Sequence, residues 1–288
     1  MKSNHKNIIQ GDLGGLKLGD NYDPIIIGVI NLSPTSFYKE SVNESLDTIK
    51  IRINQLIEEG VDIIDVGGVS SAPSFLYKES EVRSTETEII RLATFFDAII
   101  DLNISVPISV DTQSHKTAQF ALEHGATIIN DISGLKADKK MADTISSNNA
   151  STILMACRDQ PGDVFKLLEV IVELEKSIEL GISAGIPRSN IIIDPGLGSW
   201  TSQRKEHHDY TMISQLEELR VLNQCILVGI SRKSFIGAIL EVSPEKRLWG
   251  SLAATSIAIM RGAHIVRTHD VRATKDACLI ANRIKKLS

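Results

Sequence analysis

Short apolar runs, each ending in a small or polar residue and followed by an amphipathic stretch, recur along the whole chain. The runs are Ile25–Asn31, Ile63–Gly67, Ile108–Asp111, Ile128–Asp131, Thr152–Met155, Ile191–Asp194, Ile226–Ile230 and Ile265–Thr268. Each is too short for a helix, rich in β-branched residues and bounded by Gly, Pro, Asp or Asn, so each predicts a buried strand. Their hydrophobicity is continuous rather than alternating, as a parallel sheet covered on both faces requires.

The intervening stretches carry a helical period. Ser45–Glu59 places Leu46, Ile49, Ile53, Leu56 and Ile57 on one stripe, and Asp163–Leu180 does the same with Val164, Leu167, Leu168, Ile171, Leu174 and Ile178. Val82–Ile100, Lys116–His124, Lys139–Ser147, Tyr210–Leu222, Glu245–Met260 and Arg272–Leu287 complete the set. Such stripes predict helices laid against a core, and they are scaffold rather than function.

Eight strand–helix pairs over roughly 250 residues match the (β/α)8 TIM barrel of the α/β class. An open doubly wound sheet shows the same alternation, because alternation alone does not establish closure. The unbroken count of eight favours the barrel. No composition shift or long linker divides the chain, so residues 1–288 read as one domain. The glycine-rich, alternating Gln10–Asp20 predicts a short hairpin capping the N-terminal end of the barrel.

Composition narrows the class of partner. The 288 residues are 42% hydrophobic and 23% charged, which excludes wholesale disorder. A net charge of −5 argues against nucleic acid as the main partner but leaves room for a local anion site. Cys157, Cys225 and Cys278 lie far apart, which suggests neither a disulfide framework nor a zinc ribbon. The start, MKSNHKN, lacks the apolar run of a secretory signal, and no aliphatic run is long enough to span a bilayer. The expectation is a soluble, cytoplasmic protein.

In such a barrel the active site forms at the C-terminal ends of the strands. There the sequence places Asn31, Asp65, Asp111, Asn130–Asp131, Met155, Asp194, the segment GISRKS, and Arg267, His269 and Asp270. Any one of them serves equally well as a helix cap. Polar residues at seven strand ends make a constellation. Arg232, Lys233, Arg267 and His269 come from the seventh and eighth strands, where barrels often bind phosphate. Asp111, Asp194 and Asn130 suit a planar heterocycle rich in N–H donors, with Met155 as a polarizable face beneath it. An N–H-rich heterocycle with a phosphorylated arm fits the set.

At these residues the sequence resembles the dihydropteroate synthase family, over nearly the whole chain from Ile27 to about Ile280. The motifs are GVINLSPTSF, IDVGGVSSAP, SVDT, IINDISG, DPGLG, VGISRKS, RLWGSLA and GAHIVRTHDV. The resemblance implies a (β/α)8 barrel that joins hydroxymethyl-dihydropterin pyrophosphate to the amine of p-aminobenzoate and releases pyrophosphate. It assigns pterin binding to Asp111, Asn130, Asp194 and Lys233, with Met155 beneath the ring. Arg267 and His269 would hold the pyrophosphate, and Asn31 would bind it directly or through Mg²⁺. Ser71 would stand beside the phosphates, and Ser234 would meet the arylamine's carboxylate. Asp111, Lys233 and Arg267 are the implied catalytic residues. The family commonly forms homodimers.

The chain departs from the common bacterial pattern at Thr35, Val69, Ala72 and Leu197, and in the segment GSWTSQRKEHHDY. Leu197 stands where the family has an aromatic, which predicts a more open arylamine wall. The departures admit a larger arylamine such as the ribofuranosylaminobenzene phosphate of methanopterin synthesis. Two other classes compete: a corrinoid-linked, pterin-dependent methyltransferase and a pterin-binding paralogue without catalysis. Trp200 and Trp249 read as packing or loop residues, and the adjacent His207 and His208 as unsuited to a metal.

Overall fold

The computed structural model describes residues 8–33, 45–69 and 84–287. Eight parallel strands pair side by side: β3 (Ile25–Asn31), β4 (Ile63–Gly67), β5 (Ile108–Asp111), β6 (Ile128–Asp131), β7 (Ser151–Met155), β8 (Ile191–Asp194), β9 (Leu227–Val228) and β10 (Ile265–Thr268). β3 pairs with both β4 and β10, and a parallel bridge from Ile193 to Ile226 joins β8 to the start of β9. That seam rests on the Ile193 N–H, which donates to the Cys225 carbonyl at 3.0 Å. The sheet is a nearly closed (β/α)8 barrel. β9 is shorter than the apolar run Ile226–Ile230 predicts, because only two of its residues pair with β10.

β1 (Gln10–Leu13) and β2 (Leu16–Gly19) form the expected antiparallel hairpin. Ile9, Leu13 and Leu18 pack against Ile25, Ile27, Ile63, Ile128, Ile153, Ile192, Leu227 and Ile265, the lower inward-facing residues of the barrel. The alternate residues, among them Ile26, Ile64, Val110, Ile129 and Ile193, face the helices and form the larger core. Strand side chains alternate in and out. Two residues above Ile63, Ile128, Ile153, Ile192 and Ile265 therefore stand Asp65, Asn130, Met155, Asp194 and Arg267, all inward. The apolar plug and the polar mouth are successive layers of the same strands.

The helices are α1 (Leu46–Glu58), α2 (Thr85–Leu102), α3 (His115–Glu123), α4 (Met141–Ser147), α5 (Leu167–Ser183), α6 (Glu206–Ser214), α7 (Ser234–Leu240), α8 (Leu248–Met260) and α9 (Val271–Lys285). Ser45, Ser84 and Ser114 cap α1, α2 and α3 by accepting the N–H three residues on. α5 starts four residues later than its stripe predicts. The Asp163 carboxylate accepts the backbone N–H groups of Arg158, Asp159 and Gln160 and so holds the chain there in a loop. Its inner face carries Val170, Leu174 and Ile178 together with a buried Glu173, whereas Leu168 is 75% exposed. Lys136 and Lys176 satisfy that Glu173 at 2.8 and 2.9 Å. The stretch Tyr210–Leu222 divides at Gln215 into α6 and a 3-10 turn. α7, seven residues between the predicted stretches Tyr210–Leu222 and Glu245–Met260, was not anticipated.

Candidate active site

Backbone register aligns the mouth. Asn31 pairs with Gly67, Gly67 with Asp111, and Asp111 with Asn130, while Met155 pairs with Asp194. Four strand-end polar groups and one thioether thus lie along the rim without help from any loop. Arg267 rises between them from β10. Its Nε donates to Asp65 Oδ2 at 2.6 Å, and its NH2 reaches Asp111 Oδ2 at 3.4 Å. The Ser109 hydroxyl donates to the other Asp65 oxygen at 2.5 Å. Sequence reasoning placed Asp65 at the site without a role, and it missed Ser109. The available signal was a carboxylate inside a fully buried strand, which demands a partner.

Asp111, Asp194, Lys233 and His269 at this mouth are all held off their ordinary protonation equilibria, and burial is the first cause. Burial lifts Asp111 to about 7; Arg267 works against that shift and Asp65 adds to it. Asp194 is also raised by burial, against the pull of the Gly196 N–H at 2.7 Å and of Lys233. Burial and the Arg267 charge bring Lys233 down to about 8, with Asp194 opposing. Burial, then Arg267 and Lys233, bring His269 down to about 3, so its imidazole is neutral at pH 7. Burial would lower Arg267 as well, but Asp65 and Asp111 outweigh it and keep the guanidinium charged.

The hydrogen-bond inventory shows what these groups have left to offer. Among the described residues, Asp194 Oδ2 has no donor and the Lys233 ammonium makes no hydrogen bond. The Lys233 Nζ lies 4.9 Å above the centre of the Trp200 ring. The Ser231 hydroxyl accepts the His269 backbone N–H at 3.2 Å and lies 3.1 Å from Nδ1. Ser234 Oγ and Ser199 Oγ share a hydrogen bond of 2.6 Å beside Lys233. Met155 lies under the Gly196 turn, where a Cβ on Gly196 would stand 3.1 Å from its sulfur.

Two expectations are corrected here. Arg232 does not join the anion-binding cations. Its Nε and NH2 make a two-point pair with Asp270 at 3.0 and 2.7 Å, and its NH1 donates to the carbonyls of Pro244 and Glu245. Leu197 does not line an arylamine wall. Its side chain is buried in the core. The aromatic surface comes from Trp200, read from sequence as a packing or loop residue: it sits in the loop after β8, its indole N–H donates to the Leu197 carbonyl at 3.0 Å and its ring faces Lys233. Ser71, Thr35 and Ala72 lie outside the described residues. Cys157 is buried and pushed up to about 12 by burial, so it is no nucleophile at neutral pH.

No group of three or more His, Cys, Asp and Glu side chains placed to hold a metal ion stands among the described residues. None of the described helices is long and apolar enough to cross a membrane.

Comparison with known proteins agrees with this geometry. A family model described as pterin binding enzyme matches residues 27–269. The dihydropteroate synthase of Bacillus subtilis is 35% identical over 251 residues, covering 86% of this chain and 84% of that protein. That of Clostridium beijerinckii is 36% identical, covering 90% and 94%. The solved dihydropteroate synthase of Coxiella burnetii in complex with pteroic acid superposes with a TM-score of 0.84 at 33% identity, over 97% of this chain and all of that one. The Yersinia pestis enzyme with a sulfonamide drug gives a TM-score of 0.85 at 29% identity.

Proposed function

Because the chain belongs to the pterin binding enzyme family, as a transferase of the dihydropteroate synthase type in folate biosynthesis, we propose that it joins hydroxymethyl-dihydropterin pyrophosphate to p-aminobenzoate. The observation that carries this reading is the pair Asp194 and Lys233. A carboxylate oxygen without a donor and an ammonium without an acceptor, among the described residues, share one mouth beside Met155. A pterin supplies both missing partners: its amino group and ring N–H donate to Asp194, and its ring acceptors take the Lys233 protons.

Asp111 and Asn130 meet the remaining polar edge of the ring, and Met155 covers one face. Arg267 and His269 take the pyrophosphate. As the carbon–oxygen bond to pyrophosphate breaks, negative charge grows on the leaving oxygen, where Arg267 and His269 stabilise it. The arylamine nitrogen, neutral at pH 7, forms the new carbon–nitrogen bond and then sheds a proton. Ser234 holds the arylamine's carboxylate, and Ser71 the phosphate side. Asn31, one hard oxygen donor at a strand end, fits a Mg²⁺ that is carried mainly by the substrate's phosphates. Such an ion would neutralise the leaving group; no carboxylate cage is needed for it.

Trp200 favours p-aminobenzoate over a ribosylated aniline. It returns aromatic bulk to the loop after β8, where Leu197 alone suggested open space. Homodimerisation belongs to the same reading, supported by Trp249 and Ile257 on α8 and Ile280 and Ile284 on α9, all more than half exposed. Sedimentation at micromolar concentration tests it; a monomer there overturns it.

Pyrophosphate release from the pterin pyrophosphate is the test of the activity, run with p-aminobenzoate and with a para-ribosyl aniline phosphate. Release with p-aminobenzoate is expected. Release only with the larger amine would change the substrate. Pterin binding without release would make the chain a binding paralogue, and methyl transfer to a corrinoid without release would make it a methyltransferase.

A further inference from the structure

The segment Gly198–Lys205, part of the stretch GSWTSQRKEHHDY that departs from the family pattern, is built as a strut. Its root is a buried ion pair: Arg204 Nε and NH2 donate to Asp209 Oδ1 at 3.0 and 2.6 Å, and the same oxygen accepts the Gly198 N–H at 3.0 Å. Neither side chain is more than 1% exposed. From this root the chain turns through Gly198 (φ 113°) and presents Trp200, whose backbone N–H returns to the Gly198 carbonyl at 3.0 Å. The indole N–H is spent on Leu197. The back of the side chain lies on Gly162 (φ 78°), where any Cβ would stand 1.8 Å from that of Trp200. A side chain wedged, pinned and rooted in this way has little freedom, and its ring face carries the Lys233 ammonium.

We propose that Trp200 is a positioning residue for Lys233, a rigid aromatic seat that holds the ammonium, through cation–π attraction alone, at the height where a ring acceptor of the bound heterocycle must meet it. A hydrogen-bonding seat would consume donors that the ligand needs. An aromatic face attracts the cation and leaves its three N–H bonds unspent. Gly198 completes the seat: a Cβ there would stand 3.0 Å from Lys233 Cδ and 3.1 Å from Nζ, so any larger residue would crowd the lysine where it lies across the turn. The part of this inference that concerns the heterocycle rests on the proposed function; the part that concerns Lys233 does not.

The test therefore has one arm without substrate. Reaction of Lys233 with trinitrobenzenesulfonate, followed by peptide mass spectrometry from pH 6.5 to 9.5, reads how firmly its proton is held. The titratable groups facing Lys233 are Asp194 from β8, Arg267 from β10, Arg204 and Asp209 at the root of α6, and His269, which is neutral. None of them changes in Trp200→Leu, which keeps apolar bulk and loses the π face. Lys233 should then react about three- to tenfold faster at pH 7.5, with its profile displaced to lower pH. Trp200→Phe should restore the original profile. Gly162→Ala, which displaces the indole by collision with its Cβ while changing neither Trp200 nor Lys233 itself, should reproduce the Leu variant and serves if that variant fails to fold. Coincident profiles for the wild type and a folded Leu or Ala variant would overturn the inference, and so would equal acceleration in Leu and Phe.

The second arm is the affinity for bare hydroxymethyl-dihydropterin. It should fall about five- to tenfold in Trp200→Leu and recover in Trp200→Phe. An unchanged affinity beside a shifted labelling profile would overturn the positioning role at the ligand. Failure of the wild type to bind any pterin would instead defeat the proposed function.

Discussion

The two ends of this barrel bury charge in opposite ways. At the bottom, Asp20 accepts two hydrogen bonds from Arg220, both at 2.8 Å, one from the Ile9 N–H at 2.9 Å, and one of 3.3 Å from His264. Burial works against the carboxylate, yet these donors outweigh it and hold Asp20 far below the usual carboxylate range. At the top, burial wins: Asp111 and Asp194 are lifted, and Lys233 and His269 are lowered. The bottom is saturated with partners and contributes stability. The top is undersaturated and gives up stability to keep binding capacity.

The sharpest way to break this contrast is Arg220→Ala. It leaves Asp20 half-paired, and with both side chains about one-fifth exposed the cost should be about 3 kcal/mol, the lower end for a broken buried pair. Urea unfolding measures it, and kcat per folded molecule should not move. If activity falls in step with stability, the ends are not independent.

Asp194→Asn at the other end should do the reverse. Losing a charge-assisted contact to a buried ligand should weaken pterin binding by about 1.5–3 kcal/mol, while the unliganded protein stays at least as stable. Calorimetric titration gives the first quantity and thermal unfolding the second. Unchanged pterin affinity in a folded variant would move the pocket elsewhere.

Arg267 and Lys233 divide the mouth into a phosphate half and a ring half. Arg267→Ala should cost at least about tenfold in affinity for the pyrophosphate-bearing pterin and leave the bare pterin nearly unaffected; Lys233→Ala should weaken both. Arg267→Ala also strands the fully buried Asp65, so Asp65→Asn in the same protein should restore stability without restoring pyrophosphate affinity. Equal losses for both ligands in both variants would show that the halves are misassigned.

The smallest effect is a pH dependence. The folded pKa of Asp111 is raised, so its contribution is fully present below the ordinary carboxylate value and is lost as pH rises through about 7. Between pH 6 and 8 the unliganded protein should lose about 1.4 kcal/mol through this group. Lys233 offsets a lesser part, since its lowered pKa adds stability as pH rises towards and past about 8. Asp111→Asn should flatten the loss; an unchanged slope in that variant would remove Asp111 as its source.

How legible these features were differs by layer. The strand pattern and the strand-end polar residues could be read directly, because a barrel strand buried on both faces leaves its period and its polar terminus in the local sequence. Asn31, Asp111, Asn130, Met155, Asp194 and Arg267 needed only parity and position. Arg232 and Leu197 were misread for one reason: the destination of a loop side chain depends on partners far along the chain. Arg232 is claimed by Asp270, 38 positions away, and Leu197 by the core beneath the turn.

By itself the sequence determined the eightfold strand–helix rhythm, the capping hairpin and the inward polar layer above an apolar plug, since each follows from local periodicity and the pleat. Only the tertiary structure decided which charges are satisfied and which are kept waiting. It spent Arg232 on Asp270, tied Asp65 to Arg267 and Ser109, and seated Lys233 on Trp200 with its protons unspent. Those pairings join residues as much as 202 positions apart. Burial and partner distance, which set the protonation of every group at the mouth, exist only once the strands have closed.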